Sequence, residues 1–311
     1  MRCSDYMLSR RDIEKELGKG LCFYPLKRFN IKENSINVTI SEYAWCQSDA
    51  TVYWYGGNRF SVKNSSRAIR STLHYRKGQK AIFTDYRNDS HDSKYLLLLP
   101  HQTTIVETEE VIGIGNHIGG AVHSKVGIVA QGIGDTGTML GPGYCGHLMV
   151  SLHNITDDVI ALKVGETFVS LTFDYLTTSV IRTSVTVSSH YDRLLEQGCN
   201  LDSDAKDYFG QDWKANFSMI CEKMCASDEY KEYKKQIQKK SFIEFKKYIN
   251  KKNIIATGLV MLVFIALYKG ANFLDVKAGN SVWVDRFWNV GCSGLIGSLL
   301  IGLWKFVTDK K

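Results

Sequence analysis

Near His190 the residue pattern of this 311-residue chain changes character, and that change limits what each part can fold into. Ahead of it, from about Ala50 to Ser189, lie short runs such as T-V-Y-W-Y, K-Y-L-L-L-L-P, T-T-I-V-E-T, V-I-A-L-K-V and V-I-R-T-S-V-T-V, broken by Gly, Asn and Asp. β-prone runs of this length, bounded by turn residues, predict a mainly β sandwich or jelly roll. The 26 Gly against 3 Pro suit strands joined by glycine turns rather than disordered linkers. Before this region, Ser9 as N-cap and Gly18 and Gly20 as stops predict one short helix over about Arg10 to Leu17.

Beyond His190 the pattern is helical. Ile237, Phe242, Phe245 and Ile249 recur at three-to-four spacing in a stretch rich in Lys, Glu, Tyr and Phe, as in an amphipathic helix that either packs on the β domain or leaves it as a stalk. From Asp228 to Lys252 nine Lys face four acids, which supplies most of the net charge of +7. That basic run ends at an apolar segment, so anionic lipid headgroups explain it more simply than nucleic acid does.

Two apolar segments follow, Ile254 to Tyr268 and Phe287 to Trp304, each free of charged residues. In tandem they predict a transmembrane hairpin with spans of about 254–274 and 287–307. Lys residues before the first span and after the second (Lys305, Lys310, Lys311) place the N-terminal domain and the C-terminus in the cytoplasm. Gly294, Ser298 and Gly302 form small-xxx-small pairs that let helices pack closely.

Eight Cys are scattered without a paired framework, and the first residues lack the apolar core of a signal peptide, so the head is expected to be cytosolic with reduced thiols. Cys221 with Cys225, and Cys145 with His147, share faces, but no further ligands stand at zinc spacing and no metal site is expected. The run G-I-G-N-H-I-G-G (Gly113 to Gly120) fails as a dinucleotide fingerprint, because no helix follows it.

Between Ala121 and Phe173 the chain reads A-V-H-S-K-V-G-I-V-A, then G-P-G-Y-C-G-H-L-M-V-S-L-H-N, then A-L-K-V-G-E-T-F-V-S-L-T-F. This framework resembles the dCTP deaminase and dUTPase family over residues 8 to 176. The resemblance implies a distorted jelly roll, a homotrimer with sites between subunits, and a pyrimidine deoxynucleoside triphosphate as ligand, carried with Mg²⁺. It also implies what is missing. The family's A-R-S-S-x-x-R becomes A-V-H-S, with Val122 or His123 for the first Arg and Gly127 or Ile128 for the second. The Glu that moves the proton in deamination becomes Ser151, the Asp that orients water in dUTPases becomes Gly141, the last motif's Gln becomes Ser170, and a usual Asp becomes Asn37. Gly141, Pro142, Gly143, Tyr144, Gly146, Asn154 and Gly165 keep the backbone shape of the framework.

Replacement ligand contacts are nevertheless available. Ser124 and Lys125 suit phosphate, His123 or His147 suit a base, Tyr144 and Ser151 stand at family positions, and Gln131 to Gly137 offers backbone amides with Gln131 and Asp135. The expected organisation is a dCTP deaminase-like β domain over 1–190, a helical Lys-rich stalk over 191–252 and a membrane hairpin over 253–307. The expected function is a catalytically degenerate nucleotide sensor that controls a membrane effector, as in antiphage defence. The alternatives are an active membrane-tethered deaminase or dUTPase, and a purely structural oligomerisation head.

Overall fold

The computed structural model describes residues 7–65, 68–85, 93–135, 137–180 and 190–248. The strands are β1 (Leu21–Tyr24), β2 (Ile36–Cys46), β3 (Ala50–Gly56), β4 (Arg59–Ser61), β5 (Ser71–Tyr75), β6 (Ile82–Asp85), β7 (Ser93–Leu98), β8 (Thr103–Ile114), β9 (Ile118–Ser124), β10 (Ile133–Asp135), β11 (Met139–Leu140), β12 (Cys145–Asn154), β13 (Ile160–Lys163) and β14 (Thr167–Tyr175). The helices are α1 (Arg10–Glu16), α2 (Val126–Val129), α3 (His190–Glu196), α4 (Ser203–Phe209), α5 (Phe217–Ala226) and α6 (Asp228–Tyr248).

The described residues before His190 are mainly β, as the short runs predict; all but the first residue of the run V-I-R-T-S-V-T-V lies outside the described residues. Its largest sheet is antiparallel, in the order β10-β12-β8-β2-β14-β9-β11, with β1 also paired to β8. Two three-stranded sheets, β13-β7-β6 and β4-β3-β5, complete the strands. Helix α1 starts at Arg10 as expected, although the Ser9 hydroxyl donates to Asp12 Oδ2 at 2.6 Å instead of capping a backbone amide.

Strand β8 lies at the centre of the sheet and is buried on both faces, yet it carries Glu107, Thr108 and Glu110. Burying a carboxylate is costly unless donors surround it. Glu110 meets that condition: its Oε2 accepts the Thr39 amide at 2.9 Å, its Oε1 accepts the Thr39 hydroxyl at 2.9 Å, and Lys27 stands 3.8 Å away. Burial still raises its pKa.

Residues through Lys235 form one compact unit that includes α3, α4 and α5. Trp45 and Ile105 of the sheet pack with Leu194, Cys199, Ala205 and Phe209 of the helical segment. Helix α5 lies on β1, and this contact corrects the expectation of free thiols. Cys22 and Cys221, far apart in sequence, come to a Cα separation of 5.1 Å and form a disulfide, leaving Cys225 free. The first turns of α6 reach α1, where Tyr233 donates to Glu14 Oε1 at 2.7 Å and Tyr230 donates to the Leu17 carbonyl at 3.1 Å.

Among the described residues no helix is long and apolar enough to cross a membrane. The expected spans, with Gly294, Ser298 and Gly302, lie outside the described residues.

Candidate functional site

The turn entering β12 depends on glycine. Gly143 has φ 71° and Gly146 has φ 135°, regions a side chain rarely adopts, and they bring Tyr144 back so that its hydroxyl donates to the His147 carbonyl. Directly after this turn the β12–β8 register shifts between His147 and Met149. Such a bulge re-aims side chains. Here it turns His147 so that Nδ1–H donates to the Thr108 carbonyl at 2.8 Å, while the Thr108 hydroxyl accepts the Leu148 amide at 2.9 Å.

His147 is only 1% exposed, and its Nε2 has no hydrogen-bond partner among the described residues. The ring stands 5.0 Å from Tyr208 and 5.4 Å from Phe209, centroid to centroid. Burial drives its pKa down to about 3, so the imidazole is neutral at pH 7 and Nε2 is an acceptor.

A cavity of about 490 Å³ opens here between the start of β12 and the helical segment. Tyr144, Cys145 and His147 form one wall; His190 and Arg193 of α3, Lys206 and Phe209 of α4, and Asp212 and Lys214 of the following 3-10 turn form the others. Lys214 is 5% exposed, donates to the Tyr208 carbonyl at 2.6 Å and lies 3.1 Å from the centre of the Tyr208 ring. Burial lowers its pKa to about 7. Behind the cavity stands Glu107, 0% exposed, with Oε2 2.9 Å from His190 Nε2 but off the line of a hydrogen bond.

The sequence candidates divide among three places. Tyr144 and His147 meet in the cavity. His123, Ser124 and Lys125 gather at the end of β9, where His123 Nε2 lies 3.0 Å from the Thr172 hydroxyl and Lys125 donates to Thr167. Ser151 and Asp135 lie on the neighbouring strands β12 and β10, and Gln131 is exposed after α2, its amide donating to the Gly127 carbonyl at 2.8 Å. The run Gln131 to Gly137 is not an open cradle of amides: Ile133, Gly134 and Asp135 pair with Asn154, His153 and Leu152 because buried Ile133 anchors the segment as an edge strand.

Sequence reasoning missed Glu107, His190, Arg193, Tyr208 and Lys214. Glu107 left a legible sign, a carboxylate inside the apolar run T-T-I-V-E-T-E-E-V-I. The others left none, since they reach the cavity only through the packing of α3 and α4. Among the described residues no three His, Cys, Asp or Glu side chains converge as metal ligands.

The face carrying Ser151 is also decided by tertiary contact. Ser151 pairs with Ile105, which also pairs with Trp45, so the three share one side of the sheet. Leu194 and Phe209 pack there against Trp45 and Ile105.

A family model described as dCTP deaminase-like matches residues 7–176. The chain belongs to the dCTP deaminase-like family. The cavity is therefore built partly outside the family domain, since His190, Arg193 and Lys214 all follow residue 176. Among solved structures, 2′-deoxycytidine 5′-triphosphate deaminase from Agrobacterium tumefaciens aligns with 54% of this chain at 13% identity and TM-score 0.36. The chain spans only 48% of that protein's length. The dUTPase of EIAV aligns with 35% of the chain, over 98% of its own length, at 20% identity and TM-score 0.25. The Staphylococcus bacteriophage 80alpha dUTPase aligns with 34% of the chain, over 91% of its own length, at 13% identity and TM-score 0.25. No curated protein matches the chain.

Proposed function

We propose that the chain is a catalytically degenerate, nucleotide-sensing member of the dCTP deaminase-like family that controls a membrane module. Its head binds a pyrimidine deoxynucleoside triphosphate with Mg²⁺, assembles as a homotrimer or higher oligomer, and is anchored by the hairpin of residues 253–307 with both ends in the cytoplasm. Detecting altered nucleotide pools and answering through the membrane is the logic of an antiphage effector. The observation that carries the loss of catalysis is the environment of position 151. Deamination needs a group that takes a proton from water and returns it to the leaving ammonia. The resemblance puts Ser151 in that place, and Ile105, which pairs with it, packs against Leu194 and Phe209 rather than beside a carboxylate.

One observation favours a second reading, a working deaminase or dUTPase. Glu107 pairs across the sheet with Met149, one step from the Ser151 pair on the same face, and a relocated carboxylate there has His190 beside it. A purely structural head is the third reading.

The test uses the full chain in detergent, titrated calorimetrically with dCTP, dUTP and dTTP and assayed for ammonia and pyrophosphate release. Binding without turnover is expected. Turnover at an enzyme-like rate that disappears in Glu107→Gln establishes the second reading, and the absence of any binding leaves the structural one.

A further inference from the structure

We infer that the ligand site of this chain is the cavity beneath residues 190–215, and that it takes a nucleotide whose base bears an exocyclic amine. This inference rests on the nucleotide reading above, assigns it a place and a polarity, and replaces its pyrimidine preference by one for any base with an exocyclic amine. The place differs from the end of β9, where His123, Ser124 and Lys125 already bond to Thr172 and Thr167 or lie beside them.

Three features of the cavity point this way. Its charge is unbalanced: Arg193, Lys206 and Lys214 line it against one lining carboxylate, Asp212, while His190 stands beside the buried Glu107. Among the described residues Lys214 forms no ion pair and Arg193 Nε is buried without a hydrogen-bond partner. Buried cations without counter-charges are costly, and a phosphate supplies the missing anion through charge-assisted bonds. The walls are aromatic, with Tyr144, His147 and Phe209 presenting rings, and the volume of about 490 Å³ lies within the range of about 300–1,000 Å³ found for small-molecule sites.

The third feature sets the base preference. His147 Nδ1–H is committed to the Thr108 carbonyl, so its unpartnered Nε2 offers a lone pair and no proton. An exocyclic amine satisfies that acceptor, as on cytosine or adenine. The carbonyl at the same ring position of uracil or thymine sets lone pair against lone pair. A site built around a buried polar group discriminates strongly against a ligand that leaves it unpaired.

The walls also join two parts of the chain. Tyr144 and His147 belong to the family domain, whereas His190, Lys206 and Lys214 belong to the helical segment that leads into α5 and α6. Occupancy therefore ties the helical segment to the sheet.

The experiment titrates the detergent-solubilised full chain with dCTP, dATP, dUTP and dTTP, for wild type and for Lys206→Gln, Lys214→Met, His147→Phe and Lys125→Met. Lys206 is exposed, so its variant keeps the fold, and thermal melting checks the others. The expected result is dCTP and dATP binding at least about tenfold tighter than dUTP and dTTP, a loss of about tenfold or more in Lys206→Gln and Lys214→Met, and loss of the amine preference in His147→Phe. Equal binding in Lys206→Gln and Lys214→Met, with binding lost in Lys125→Met, overturns the cavity while leaving the nucleotide reading intact. Tighter binding of dUTP or dTTP overturns the base preference. No binding of any of the four by wild type removes the nucleotide reading and this inference with it.

Discussion

His190 Nε2 lies 2.9 Å from the fully buried Oε2 of Glu107, so the first helix after the family domain meets a carboxylate of the central strand β8. Neither oxygen of Glu107 has a hydrogen-bond partner among the described residues, and His190 Nε2 stands beside Oε2 off the line of a hydrogen bond. The pair sits beside the aromatic contacts of His190 with Phe209 at 5.3 Å and of Phe209 with Tyr208 at 5.1 Å.

Removing one partner of a buried pair strands the other. His190→Ala is therefore expected to destabilise the domain by about 1–3 kcal/mol, and the double change Glu107→Leu with His190→Ala by clearly less. Denaturant unfolding of the three variants beside wild type checks this. Equal losses in the single and double variants show that Glu107 does not depend on His190.

Acid unfolding should carry the signature of His147. Its pKa falls from an ordinary 6.5 to about 3 on folding, so between those values the unfolded chain binds more protons and stability drops as pH is lowered. Lys214, held at about 7 against an ordinary 10.5, makes its cost in full below pH 7, and that cost fades as pH rises toward 10.5. Stability measured by denaturant from pH 5 to 6.5 should slope less in His147→Phe, and from pH 7.5 to 10 less in Lys214→Met. Unchanged slopes mean that these groups keep their ordinary pKa values in the folded protein.

The proposed membrane hairpin predicts a definite labelling pattern. In intact cells a membrane-impermeant thiol reagent should react with Lys277→Cys between the spans and spare Lys252→Cys on the cytoplasmic side, in a background lacking the native cysteines. Gly294→Leu or Gly302→Leu should abolish any growth arrest caused by the full chain while leaving the head oligomeric, because a bulky residue blocks the close helix contact. Labelling at position 252 alone reverses the orientation, and toxicity that survives both Leu changes makes the hairpin a passive anchor.

Much of the framework was legible before any coordinates. The β-prone runs and the start of α1 follow from local chemistry, and the family resemblance points to the glycine turn from Gly141 to Gly146 and to Asn154 as shapers of the backbone. Asn154 illustrates this: as a strand-end amide it donates to the Leu98 and Asp158 carbonyls at 2.9 and 2.7 Å and accepts from Thr156 at 2.9 Å. Two departures from the family pattern even answer each other, since the Ser170 hydroxyl donates to Asn37 Oδ1 at 2.7 Å across β14 and β2.

The cavity was not legible, for a physical reason. Periodicity and turn chemistry act over a few residues, and they determined that the chain before His190 is mainly β and that it turns helical from there, while the family resemblance puts Ser151 where a proton-transfer carboxylate is expected. Which face of the sheet the helices cover depends on long-range burial, in which Trp45 and Ile105 exclude water against Leu194 and Phe209. Only that packing brought Glu107, His147, His190 and Lys214 into one neighbourhood and joined Cys22 to Cys221. A free energy that belongs to contacts between distant segments has no trace in the order of residues along either one.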